Sequence, residues 1–230
     1  MVKKFVAVLG FVTLTVALPA STYAQDAKTF LNTVAKAMGA ANLKTLQYSG
    51  SGSGSNAGIE QNKPSTEPPL TYIKSYKRQL DLNAATSRVD LIRVEQTTDH
   101  PQTLAIAPNS PWDTRYDFWL NPFGFLQGAM SHEAVVKPET VLGEKFTEVS
   151  YVVDGKYNVK GYINKDNLVE KVETQIGNNV PVLGTYLDYQ DFSGVKFPTI
   201  VIQQQWGMNT LVLIVDKVKA NAPISTASSN

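Results

Sequence analysis

The side chains able to do chemistry are few in this sequence. There is no cysteine, which removes thiolate metal sites and cysteine nucleophiles. The two histidines, His100 and His132, lie far apart and neither has a second ligand type at useful spacing, whereas a zinc site takes about three protein ligands. They read as surface or cap histidines. Asp188 and Asp191 are an acidic pair of the kind that works as acid and base, but at a strand end beside a turn an aspartate more often serves the backbone. Gly50-Ser-Gly-Ser-Gly54 has the glycines of a phosphate cradle without its lysine or following helix. No nucleophile elbow, Walker loop or dinucleotide fingerprint occurs. No cofactor and no metal are expected.

What stands above background is aromatic and apolar. Trp112, Tyr116, Phe118, Trp119, Phe123, Phe125 and Met130 crowd one segment, and Tyr186, Tyr189, Phe192, Phe197 and Trp206 recur in a later stretch that reads as sheet. One reading is an apolar pocket for a lipid-like ligand between a curved sheet and its covering helix. The candidate ligand-binding residues are then Trp112, Trp119, Phe123, Phe125, Leu126, Met130, Tyr189, Phe197 and Trp206. The other reading is an ordinary core, since a helix on a one-sided sheet must bury something.

The elements that would position these residues follow from periodicity. Asp26 to Met38 places Phe30, Val34 and Ala37 or Met38 at helical spacing, with Asp26 as cap and Gly39 as stop. Leu46 to Asn56 has the composition of a Gly/Ser linker, yet its strict alternation suits a first strand whose glycines face something bulky packed closely above. Asn56 to Pro69 reads as an exposed loop. Tyr72, Tyr76, Leu80 and Leu82 can share one strand face, and Arg88 to Glu95 forms a second strand after a turn at residues 83–87. Pro101 to Pro111 reads as irregular. Asn121-Pro122 starts a short aromatic helix running to about Ser131.

Six strands are then expected, over residues 146–153, 156–164, 168–176, 184–191, 197–206 and 211–218, joined by short turns in an antiparallel meander. Pro198 is expected to set where its strand begins, with Phe197 facing the aromatic helix. Alternation in Tyr157 to Ile163 implies one buried and one wet face. The small polar tail after Asn221 is expected to be disordered.

The chain opens with Lys3-Lys4, an apolar run from Phe5 to Leu18 and Thr22-Tyr23-Ala24, the layout of a secretory signal cleaved after Ala24. An uncleaved anchor is the alternative, although the run is shorter than the ~20 residues of a membrane span. Removing Lys3 and Lys4 leaves basic and acidic residues balanced to within one. That well-mixed charge argues against nucleic acid or an anionic membrane as partner. The mature part, 25–221, suits one β-rich domain, with two small domains as the alternative.

The succession Gly155 to Asn164, Leu168 to Glu173 and Tyr189 to Pro198 resembles the C-terminal half of the periplasmic lipoprotein-carrier (LolA-like) and outer-membrane lipoprotein-sorting families. That resemblance implies an incomplete antiparallel β-barrel plugged by helices. A resemblance over more of the chain is to the N-terminal, non-catalytic region of exported metallo-β-lactamase-fold hydrolases. It rests on Thr33 to Gly39 with Leu46 to Gly50, Phe118-Trp119 with Pro122 and Gly124-Phe125, Gly161 to Asn164 with Val169 to Thr174, and Asp191-Phe192 with Gly194 to Pro198. The H-x-H-x-D-H zinc motif of those hydrolases is absent from the sequence.

The expectation is an α+β, mainly β domain: a curved antiparallel sheet with an N-terminal helix and a short aromatic helix covering its concave face. It is exported to the periplasm or beyond, is not an enzyme, and holds a hydrophobic small molecule or a lipoprotein acyl chain. The alternatives are an accessory domain docking a hydrolase in trans and a carboxylate enzyme using Asp188 or Asp191.

Overall fold

The computed structural model describes residues 20–55 and 62–224. Most of the expected signal segment, part of the 56–69 loop and residues 225–230 of the tail lie outside the described residues. Within them the helices are α1 (Ala20–Met38), α2 (Trp112–Leu120) and α3 (Pro122–Ser131). The strands are β1 (Thr45–Ser55), β2 (Leu70–Asp81), β3 (Thr86–Glu95), β4 (Thr98–Ile106), β5 (Val135–Val141), β6 (Glu144–Val153) and β7 (Tyr157–Ile163). They continue as β8 (Val169–Ile176), β9 (Val180–Phe192), β10 (Val195–Gln205) and β11 (Met208–Ala220).

All the strands belong to one 11-stranded antiparallel sheet in the order β4-β3-β2-β1-β11-β10-β9-β8-β7-β6-β5. Two meanders, β1 to β4 and β5 to β11, are joined where β1 pairs with β11. The free edges are β4 and β5, which are neighbours in sequence and lie at opposite ends of the sheet. Their link has to cross one face, and that link is α2 and α3. Helix α2 touches both β4 and β8, and α1 touches both β5 and β10, so the sheet wraps around the helices without closing.

Helix α1 begins before Asp26, which lies inside it rather than capping it. Leu31, Val34, Ala35 and Met38 are buried at spacings of three and four. Gly39 ends the helix at φ +70°, and a Cβ there would meet the Gly194 carbonyl oxygen at 1.9 Å. Only glycine suits both demands.

The Gly/Ser segment is a strand paired on both sides. What approaches it differs from expectation. A Cβ on Gly50 or Gly52 would meet the backbone oxygen of Ile214 or Val212 at about 2 Å, and only Gly54 faces side chains, those of Ile73 and Arg93. The glycines let β1 fold tightly against β11, where the register also shifts between Ser49 and Gly50.

Several expectations are corrected. Tyr72 is exposed while Ile73, Tyr76 and Leu80 are buried, because a bulge between Ile73 and Ser75 changes the phase of β2. Residues 98–106 form a strand, with Pro101 tolerated because β4 is an edge. α2 and β5 occupy segments for which no element was expected. Strand β10 starts at Val195, ahead of Pro198: up to Pro198 it pairs with β9 alone, and β11 joins at Ile200. The proline therefore stands where the second partner begins rather than where the strand does. In β7, Val159, Gly161 and Ile163 are buried and Asn158 is wet, as the alternation implies.

Candidate functional site

Helix α3 is placed by its start. Asn121 accepts a hydrogen bond from the Phe123 N–H at 3.0 Å, Pro122 takes the first turn, and the Asn121 amide donates to the Tyr48 hydroxyl at 3.3 Å. The cap thus orients the helix and ties it to β1. Helix α3 lays Phe123 on Phe197, rings stacked with centroids 5.6 Å apart, and Phe197 lies 4.7 Å from Tyr48. Phe125 points into β7, where a Cβ on Gly161 would meet its ring at 2.3 Å; the glycine makes the hollow that the ring fills. Its other neighbour is Tyr151, at 5.5 Å. Burying each such aromatic contributes roughly 2–3 kcal/mol.

Trp119, Phe123, Phe125, Leu126 and Phe197 thus come together as buried side chains of the concave interior. Trp112 is buried at one end, its ring stacked on Tyr157 at 4.3 Å and its indole N–H donating to the Gln175 carbonyl at 2.7 Å. Tyr189 and Trp206 are half-buried at the margin, and the Tyr189 hydroxyl donates to the Val169 carbonyl at 2.5 Å. Met130 is 48% exposed and stands apart. The packed interior leaves the five central residues filling the concavity together with the helices.

A polar pair without a sequence mark, Arg78 and Asp117, runs through the same interior. Arg78 of β2 is 1% exposed and pairs with Asp117 of α2 at 3.0 Å. It also donates to Ser87 at 3.0 Å and to the Asp117 carbonyl at 3.1 Å, while the Gln203 amide donates to the Asp117 carboxylate at 2.9 Å. Burial on its own would lower the Arg78 pKa, but the Asp117 carboxylate, Tyr48 and Tyr76 outweigh it and hold the guanidinium well above its ordinary range. Burial raises the phenols of Tyr48, Tyr76, Tyr151, Tyr186 and Tyr189. Tyr186 donates to the Leu120 carbonyl at the end of α2, whereas the Tyr151 hydroxyl has no hydrogen-bond partner among the described residues. A lone strand arginine gives no sequence signal that it will be buried. Its partner lies 39 residues away.

Of the carboxylates weighed for catalysis, one is held by a neighbouring side chain and one by a turn N–H. Asp188 accepts from the Thr199 hydroxyl at 2.6 Å, and Asp191 accepts from the Gly194 N–H at 2.8 Å across the turn. His132 sits at the end of α3, its Nδ1 2.9 Å from the Gly128 carbonyl and its ring against Tyr151 and Trp119. His100 is exposed on edge strand β4. Among the described residues no group of three or more His, Asp or Glu side chains is placed to hold a metal ion.

No family model and no curated protein matches the chain. Among solved structures it is similar to a LolA superfamily protein from Nitrosomonas europaea, at 12% identity and a TM-score of 0.46, over 86% of this chain and 94% of that one. It is also similar to a putative outer membrane lipoprotein-sorting protein domain from Vibrio parahaemolyticus, at 8% identity and a TM-score of 0.47, over 88% of this chain and 95% of that one.

Proposed function

We propose that this chain is an exported, non-catalytic binding module that takes a hydrophobic ligand, a lipid or acyl chain, between its curved sheet and the α2–α3 layer. One observation carries this reading: the layer filling the concavity is a crossover tethered between two free sheet edges, so it can lift without breaking a strand pair. Under it lies an apolar surface including Phe197, Tyr151, Val149, Val159 and Val172. Exposing that surface to water is costly, and an acyl chain would cover it. Phe123, Phe125 and Leu126 would line the ligand from above and Trp119 would report its arrival. Arg78 with Asp117 would tie the cover shut.

Native mass spectrometry of the full chain with added palmitate tests this. The expected result is one bound acyl chain per protein, accompanied by a change in tryptophan fluorescence. A clean apo mass at saturating palmitate overturns it.

A second reading, docking of a protein such as a metallo-β-lactamase-fold hydrolase in trans, is favoured by a different observation. On the convex face Leu187, Ile200 and Ile214 are in register across β9, β10 and β11, with Leu187 39% and Ile214 51% exposed. Such a stripe suits a protein partner. Loss of binding to such a hydrolase on Ile214→Lys is the expected result, and unchanged binding would remove this reading.

A further inference from the structure

At the Trp112 end of the interior, the sheet splits. Strands β7 and β8 pair from Ile163↔Val169 to Lys160↔Glu173 and no further. Beyond that point Tyr157 to Val159 still pair with β6, and Thr174 to Ile176 still pair with β9, but the two segments no longer pair with each other. An interior ladder that stops leaves backbone groups to be satisfied otherwise. The Thr174 hydroxyl donates to the Asn158 carbonyl at 2.5 Å, and the Trp112 indole donates to the Gln175 carbonyl. The first turn of α2 holds the gap from below, with Asp113 accepting from the Gly177 N–H at 2.8 Å. The split is thus a built feature.

Above it lies an open cleft of ≈ 830 Å³, within the size range of small-molecule sites. Its lining is rich in carboxamides, those of Asn158, Gln175, Asn178, Asn179 and Gln204. Asn158, Gln175 and Asn179 are exposed, and their amide groups make no hydrogen bond to other described residues. The charges are already engaged: Lys160 pairs with Glu173 at 3.1 Å, Asp113 holds Gly177, and Lys156 lies over the Tyr157 ring at 4.9 Å. The lining's two lysines, Lys156 and Lys160, balance its two carboxylates, Asp113 and Glu173, so neither an anion nor a cation is favoured by net charge, and an acyl chain finds too many polar groups.

A hydroxyl group both donates and accepts, and a carboxamide offers both functions side by side. Tyr157, half-buried and stacked on Trp112, offers an aromatic face once the flexible Lys156 moves aside. We infer that this cleft binds a neutral saccharide of one to a few pyranose rings, its hydroxyls held by Asn158, Gln175 and Asn179 and one ring face against Tyr157. The cleft's floor includes Trp112 and Asp113 of α2, so the site is complete while the α2–α3 layer is in place, and it needs no ligand in the concavity.

The test follows the indole N–H signals of Trp112, Trp119 and Trp206 in ¹H–¹⁵N spectra of the full chain, assigned with single Trp→Phe variants. Maltotriose, cellotriose and diacetylchitobiose are titrated separately to about 20 mM, enough to nearly fill a site with a dissociation constant of about 1 mM. Expected is a saturable shift of the Trp112 signal with at least one sugar while Trp119, inside the concavity, stays still. The double variant Asn158→Ala with Gln175→Ala, both exposed positions, should keep the remaining spectrum and weaken binding by about tenfold or more. Absence of a saturable Trp112 shift with all three sugars overturns the inference. Undiminished binding in the double variant does so too, as does the tetrapeptide Ala-Asn-Ser-Gly or inorganic phosphate binding there as tightly as the best sugar.

Discussion

Arg78 and Phe125 are both buried beneath or within the same helical layer, and they hold it by opposite means. Arg78 reaches from the sheet to α2 through a directional set of hydrogen bonds centred on Asp117. Phe125 reaches from α3 to the sheet and fills the hollow over Gly161 without a polar contact. The difference assigns separate tasks. Apolar filling supplies most of the burial free energy and tolerates small displacements, whereas a buried ion pair contributes little net stability because both charges leave water. What the pair can do is fix where α2 sits.

Breaking the apolar side should have the largest effect. Phe125→Ala leaves a void between α3, Gly161 and Tyr151, and is expected to cost about 4 kcal/mol in urea unfolding. A loss below about 1 kcal/mol would mean that the layer collapses into the gap and that the filling is less specific than its geometry. Asp117→Ala comes next, at about 3 kcal/mol, because it strands a guanidinium that is 1% exposed. Arg78→Met should cost about 1 kcal/mol or less, since the Asp117 side chain is 25% exposed and can regain water while methionine fills the space. Yet amide exchange in α2 should quicken in Arg78→Met. If both variants lost equal stability, the pair would be acting as an energetic contact rather than a positional one.

The two sides also differ in how far the sequence revealed them. Phe123, Phe125 and Phe197 were legible because aromatics clustered after an Asn-Pro helix start and on a strand with period two. The polar side was not, since Arg78 sits in a strand among Lys74 and Lys77 and looks like another solvated charge. Its burial depends on a helix folding over it from a segment that itself gave no clear signal. In α2 the apolar residues Trp112, Phe118, Trp119 and Leu120 do not form one stripe, because the helix is covered by sheet and by α3 together. Strands β4 and β5 escaped for the reverse reason. As edges they are mostly exposed and carry no alternation to read. The split between β7 and β8 has no sequence mark at all, for it arises from where a distant indole and a threonine hydroxyl replace ladder bonds.

The smallest effects sharpen the comparison through two tyrosines. Tyr186 donates to the Leu120 carbonyl, so Tyr186→Phe should cost about 1 kcal/mol. Tyr151 has a buried hydroxyl without a partner among the described residues, so Tyr151→Phe should be neutral or stabilise by about 1 kcal/mol. The same group is one of several buried tyrosines that set the response to alkali. Burial raises the Tyr151 phenol well above the ordinary tyrosine value, so below about pH 10 the folded and unfolded chains are both protonated there and stability is flat. Above it the unfolded chain releases the proton first, and stability falls by about 1.4 kcal/mol per pH unit for each such tyrosine until the folded pKa is passed. Tyr151→Phe should therefore shallow the alkaline loss measured by circular dichroism between pH 9 and 11, at no cost at neutral pH. An unchanged alkaline slope would mean that Tyr151 meets water when the layer over it is in place, and the apolar side would then be wetter than its packing.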